Sequence, residues 1–171
     1  MSGTRARSEP GRRAGPSVQM PLLDRLFDEA PDRAHDPPRD SGEAMAALRR
    51  SVRRDLEMLL NARRRWRTPP AALRELAVSP LAFGIPDCAA ARFGDKRERE
   101  RLRAEIELTL RRFEPRFAHV RVTLIDPADS LDGTLHLHID AMLHADPAPE
   151  PVAYDTVVET TAALTVRAVD V

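Results

Sequence analysis

Three consecutive residues carry the sharpest chemical signal in the chain. Glu114, Pro115 and Arg116 set an acid and a base on either side of a proline, whose ring fixes its own φ and restricts the residue before it. A carboxylate and a fork-shaped guanidinium are thereby held at one stiff junction. Such a pair can capture a partner's backbone or charged groups, or it can lock two elements of its own chain together, and the residues alone leave both uses open. Glu114, Pro115 and Arg116 are therefore the first candidate site residues. A second constellation is His136, His138, Asp140 and His144, expected on one face of one strand. Alternate strand positions lie about 6.5–7 Å apart, so His136 and His138 reach a common metal ion only if their rings lean together. The polar half of an amphipathic strand has the same pattern, and no metal site is assigned.

Catalytic chemistry finds little support. The first acidic pair for glycoside hydrolysis would be Glu114 with Asp126 or Asp87, but nothing in the sequence brings either to the ~5–9 Å that such a pair needs. No G-x-S-x-G elbow surrounds Ser41, Ser51, Ser79 or Ser130. The glycines form neither a G-x-G-x-x-G fingerprint nor a Walker loop, so no catalytic residue and no cofactor is expected. Cys88 is the single cysteine; it excludes an internal disulfide framework, fits a reducing compartment, and reads as a small apolar filler. The run Arg63, Arg64, Arg65, Trp66, Arg67 could track a nucleic-acid backbone with Trp66 stacked on a base. A helix end equally welcomes cations beside its negative dipole, and aromatic residues make up only 4% of the chain, so nucleic acid is not an expected partner.

These residues need a scaffold, and 171 residues suffice for one domain that folds without staples. Residues 1–20 are rich in Arg, Gly, Ser and Pro and poor in apolar side chains, which predicts a disordered basic tail ahead of a single domain at 21–171. No apolar run there can be a signal or a membrane span. Net charge is zero, but its distribution is lopsided. Residues 49–67 concentrate arginine, whereas residues 126–171 set many carboxylates against Arg167 alone, a polarity suited to head-to-tail assembly. Lys96 is the only lysine. With Ala and Pro abundant, that points to coding bias, so arginine in place of lysine carries no chemical weight.

Leu22, Leu23, Leu26 and Phe27 have the spacing of one short helical face after Pro21, and prolines at 31, 37 and 38 make residues 30–40 a linker. From a cap at Ser41, Met45, Leu48, Val52, Leu56 and Leu59 recur at steps of three and four, which predicts a long helix ended by Thr68, Pro69 and Pro70. A short helix over 70–78 and a loop over 81–87, LAFGIPD, follow. Asp95 caps a strong helix to Phe113 with Leu102, Ile106, Leu110 and Phe113 on one face, and Pro115 stops it. The period then changes to two: Val120, Val122 and Leu124, and after a turn over 126–133, Leu135, Leu137, Ile139, Ala141 and Leu143. Beyond a linker at 147–151, residues 152–159 and 164–169 read as a further strand pair, although 159–163 lacks an obvious turn residue. The expected fold is α+β, with N-terminal helices packed on a small antiparallel sheet from the C-terminal half.

Five pieces now stand in a characteristic order: PLLDRLFD at 21–28, SVRRDLEMLLNARR at 51–64, SPLAFGIPD at 79–87, FEPRF at 113–117 and EPVAYDT at 150–156. Together they resemble the TssE family of type VI secretion baseplate subunits and, through it, the lysozyme-like baseplate wedge proteins of contractile phage tails. The resemblance implies a structural, non-enzymatic wedge component at the cytoplasmic side of the inner membrane, bound to the wedge proteins TssF and TssG with TssK as a further candidate, and nucleating the TssB/TssC sheath. By the same analogy Glu114, Pro115 and Arg116 engage the wedge core, and the late strands offer an edge to sheath strands. Truncating Glu114 or Arg116 would then abolish assembly while leaving the monomer folded. One departure is Phe83, where the family usually has tyrosine. The alternative is a lysozyme-like peptidoglycan hydrolase, followed by a nucleic-acid-binding module.

Overall fold

The structure, a computed structural model, describes residues 24, 26, 31–32, 41–64, 70, 72–87, 95–125, 134–145, 148–158 and 164–169. Helix α1 spans Ser41–Asn61 and buries the anticipated stripe of Leu48, Val52, Leu56 and Leu59, to which Leu60 is added. Two short 3-10 turns, Arg74–Val78 and Pro80–Ala82, precede helix α2, Lys96–Phe113. The Asp95 carboxylate caps α2 by accepting from the Arg97 N–H at 2.8 Å, and the helix ends at Glu114, one residue before the proline that cannot continue it. Strands β1 (Phe117–Ile125), β2 (Leu135–Leu143), β3 (Glu150–Val158) and β4 (Thr165–Val169) form one antiparallel sheet in chain order. The helices-then-sheet α+β arrangement is thus observed.

Alternation explains which face is covered. Val120 and Val122, Leu135 through Leu143 at every second position, Val152, Tyr154, Val158 and Val166 join the two helices' stripes in one apolar cluster. The opposite face carries His119, Arg121 and Thr123, then His136, His138 and Asp140, then Asp155, then Arg167, aligned across the strands by the register Thr123↔His138↔Asp155↔Arg167. Pro151 sits inside β3 opposite Met142. The β3 groups facing β2 belong to the residues on either side of it, so its missing N–H removes no bond to that neighbour.

Several expectations are corrected. Helix α1 stops at Asn61 rather than running to Thr68, because the next backbone groups pair with the 81–87 segment: the Ile85 N–H donates to the Ala62 carbonyl at 3.0 Å and the Arg64 N–H to the Ile85 carbonyl at 2.8 Å. That segment is therefore more than a loop, since it contributes a 3-10 turn and buries Ala82 and Ile85. The helix expected over 70–78 is confined to the short turn Arg74–Val78, none of whose residues is buried. Strand β3 begins at Glu150, inside the presumed linker. Leu26 is 80% exposed, so it lines no buried face; Leu22, Leu23 and Phe27 lie outside the described residues, as do the basic tail 1–20, most of the linker 30–40 and the turns at 126–133 and 159–163.

Gly84 makes the 62–85 junction possible. Its φ is +99°, and a Cβ there would stand 2.3 Å from the Ala62 carbonyl oxygen, a backbone atom with little freedom to retreat. Gly84→Ala should destabilise the fold by about 2 kcal/mol or more, read as a lowered midpoint in chemical denaturation; an unchanged midpoint would show that the junction is loose.

Candidate functional site

The Glu-Pro-Arg corner forms where α2 hands over to β1. Glu114 is only 4% exposed, and both of its carboxylate oxygens accept from Arg116: Oε1 from Nε at 2.6 Å and Oε2 from an Nη at 2.5 Å. Oε1 also accepts the Arg116 backbone N–H at 3.2 Å. The same guanidinium reaches back to helix α1, where it donates to Asp55 at 2.7 Å and to the buried Ser51 hydroxyl at 3.4 Å. Burial opposes the charge on Arg116, but hydrogen bonds and attraction from Glu114 and Asp55 outweigh it and raise its pKa. Arg54 extends the network from the outside, donating to Asp24 at 2.9 Å and to Asp55 at 3.2 Å. Of the two uses left open by the sequence, the internal lock is therefore realised in this structure. Pro115, at the tip, is exposed.

A buried tyrosine stands behind the corner. Tyr154 of β3 is almost fully buried and its hydroxyl finds no hydrogen-bond partner among the described residues. Burial pushes its pKa up to about 12, with the charges of Arg49, Glu114, Arg116 and Arg53 all acting on it. Arg49 in turn pairs with Glu150 at the start of β3, a second tie between α1 and the same end of the sheet. Phe83 meets Phe113 edge-on with ring centroids 5.4 Å apart, an aromatic contact that uses no hydroxyl.

Both edges of the sheet are met by side chains from the helices. Along β1, Glu107 accepts the Val122 N–H at 3.1 Å, Arg103 donates to the Val122 carbonyl at 3.1 Å and Arg111 to the Val120 carbonyl at 3.3 Å. Burial alone would raise the pKa of Glu107, but the Val122 N–H and the two arginines hold it below the ordinary carboxylate value. Along β4, the Asn61 amide accepts the Leu164 N–H at 2.7 Å and donates to its carbonyl at 2.9 Å, while Glu57 accepts the Val166 N–H at 3.2 Å. Sequence reading missed these five side chains because they look like ordinary polar positions on amphipathic helices; their i, i+4 spacing along each helix was the only available trace.

The remaining sequence candidates are not gathered into a site. His136 and His138 lie on the uncovered face, but His144 falls beyond the end of β2, and its N–H donates to the Arg116 carbonyl at 2.8 Å. His138 is bracketed by Asp155 at 2.5 Å and Asp140 at 3.1 Å. Among the described residues no group of three or more His, Cys, Asp or Glu side chains is arranged to hold a metal. Trp66, Arg65, Arg67, Cys88 and Asp126 lie outside the described residues. With its oxygens engaged by Arg116, Glu114 is poorly placed to serve as a hydrolytic acid.

The order of these parts, with the corner at their centre, can be compared with known families. The family model described as baseplate wedge protein gp25 matches residues 46–148, more than half of the chain. The chain belongs to the gp25 family of baseplate wedge proteins. No curated protein matches it. The gp25 match runs from the first turns of α1 through the corner and β2, and β3 and β4 lie beyond it. Membership in the gp25 family bears out the resemblance to baseplate wedge proteins and gives the chain a structural role among other baseplate components. Among the described residues no helix is long and apolar enough to cross a membrane.

Two outcomes follow from the geometry. Arg116→Ala leaves a buried carboxylate without its counter-charge and should cost about 3 kcal/mol, contrary to the expectation that truncating the corner spares the monomer; denaturation of the purified variant measures it, and an Arg116→Ala Glu114→Gln double variant should recover part of the loss. The second concerns pH. The hydrogen bond from Asp155 raises the pKa of His138 above its ordinary value, against burial and with help from Asp140. A raised folded pKa adds stability that is complete below the unfolded value of about 6.5 and vanishes as pH climbs through the folded value. Between about pH 6 and pH 9 the wild type should therefore lose more stability than His138→Gln, as followed by melting temperature across that range.

Proposed function

We propose that the chain is a TssE-like wedge subunit of a type VI secretion baseplate, a rigid adaptor that works through surfaces without turnover. The family match over 46–148 carries this reading, and the five quoted sequence pieces narrow it from contractile tails in general to the secretion machine. In this role the chain sits at the cytoplasmic side of the inner membrane, joins the wedge proteins TssF and TssG, with TssK nearby, and seeds the TssB/TssC sheath.

The corner supports this role in a specific way. Because Glu114 and Arg116 hold one another and α1, the exposed tip at Pro115 and the accessible edge of the guanidinium are presented in a fixed shape. Glu114, Pro115 and Arg116 thus act on the wedge partners as a unit, with the acid setting the surface from within. A pre-shaped surface loses little entropy on binding. The late strands supply backbone groups that sheath strands can join.

Co-expression with tagged TssF and TssG tests the assignment. Pro115→Glu places a charge at the exposed tip and removes the ring that stiffens the junction, so the variant should stay folded with a loss of about 1 kcal/mol or less yet co-purify at a small fraction of the wild-type yield. Undiminished co-purification would remove the corner from the interface, and release of soluble fragments from purified peptidoglycan would overturn the non-enzymatic reading.

A further inference from the structure

The corner lock closes without outside help. Glu114 and Asp55 set two carboxylates against the guanidiniums of Arg116 and Arg54, and between them they take the Nε and one Nη of Arg116 and the Nε of Arg54. Charge is balanced at that point. Yet a third acid is present. Asp24, which precedes α1 in the chain and lies outside the residues matched by the family model, accepts from the remaining Nη of Arg54 at 2.9 Å.

The donors that face Asp24 form a small built pocket. Ser51 is buried, and its hydroxyl oxygen accepts from Arg54 at 3.2 Å and from Arg116 at 3.4 Å. With its lone pairs engaged, the hydroxyl keeps its proton to donate, and Asp24 is the acid that receives it. Burial opposes the charge on Asp24, but hydrogen bonds from Arg54 and Ser51 and the charges of Arg54 and Arg116 outweigh it and hold its pKa below the ordinary value. A hydroxyl donor, a guanidinium donor and a second cation beside them call for a negatively charged acceptor, which a carboxylate supplies. Among the described residues nothing else holds Asp24 in place. Leu26, two residues on, is 80% exposed, and Arg54 is half exposed, so water and salt screen the pair.

We propose that Ser51, Arg54 and Arg116 form a binding site for an Asp or Glu side chain of a partner protein, and that Asp24 fills this site in the free subunit as an internal stand-in. The present occupant is itself an aspartate on a peptide backbone, which sets the size and charge of the ligand. An incoming carboxylate replaces Asp24 donor for donor, so the exchange leaves no hydrogen bond of the corner unmade. Occupancy by Asp24 weakens every competing acid by the fraction of molecules whose site is open. A half-exposed ion pair favours the filled state about fivefold. That is enough to discourage stray acidic contacts, and a partner that also meets the exposed Pro115 overcomes it. The inference deepens the assembly reading and rests on it for the existence of that partner.

The test uses the full-length, isotope-labelled protein and two capped five-residue peptides, Gly-Gly-Asp-Gly-Gly and Gly-Gly-Asn-Gly-Gly, titrated to millimolar concentration and followed by the Nε–H signals of Arg54 and Arg116. In Asp24→Ala the Asp peptide should move both signals in a saturable way and bind about fivefold tighter than it binds the wild type, while the Asn peptide leaves them in place. Adding Arg54→Gln should abolish the response. Purified TssF–TssG should likewise bind Asp24→Ala about fivefold tighter than the wild type. An Asp24 that only braces the fold would lower the melting temperature and raise neither affinity. That result, no shift at Arg54 and Arg116, equal response to both peptides, or unchanged or weaker TssF–TssG binding by Asp24→Ala would each overturn the proposal. Failure of TssF–TssG to bind either protein while the peptide results hold would instead fault the assembly reading alone.

Discussion

A carboxylate with almost no access to water has to be neutralised from within, and Glu114 meets that demand with the guanidinium two residues along the chain. An unpaired charge at that depth would cost several kcal/mol, so the position of Arg116 is set as tightly as that of Glu114 itself. Once placed, Arg116 has donors left over, and these reach Asp55 and Ser51 on α1. One ion pair thereby joins three elements: the end of α2, the first residues of β1 and the middle of α1. Pro115 keeps the two charged residues from drifting apart, and the His144 N–H on the Arg116 carbonyl fastens the end of β2 to the same point.

The rest of the fold repeats this economy at the sheet edges. A four-stranded sheet leaves two rows of unpaired backbone groups, a known invitation to unwanted pairing. Here each helix lies beside an edge strand and offers side chains in place of a fifth strand: Arg103, Glu107 and Arg111 on one side, Glu57 and Asn61 on the other. Such substitutes satisfy hydrogen bonds without creating a new edge. They also explain how helices so rich in charge pack closely against a sheet, since part of that charge is used on backbone groups instead of being left to solvent.

The chain belongs to a family of structural baseplate wedge proteins, and its parts are tied into one body. The core is continuous from α1 through the sheet to α2. Helix α1 is tied down by Arg116–Asp55 and Arg49–Glu150, and its C-terminal end is held by the Ala62–Ile85 junction and by the ion pair of Arg64 with Glu105 of α2. These ties make the corner and the strand edge parts of one body.

Local chemistry was legible in the sequence. Apolar periodicity marked the two helices and the first two strands, proline stopped α2, Asp95 capped it, and the Glu-Pro-Arg triplet announced a rigid junction. Each of these depends on neighbours within a few residues, which is what spacing records. Tertiary structure decided the rest. It ended α1 at Asn61, because Ile85 competes for the backbone groups that would have continued the helix. It turned the corner inward, because the carboxylate that completes Arg116's coordination lies on Asp55, far away along the chain. It also gave Glu57 and Asn61 their roles, since a polar residue on a helix can serve a strand edge only after the fold has determined which edge is left beside it.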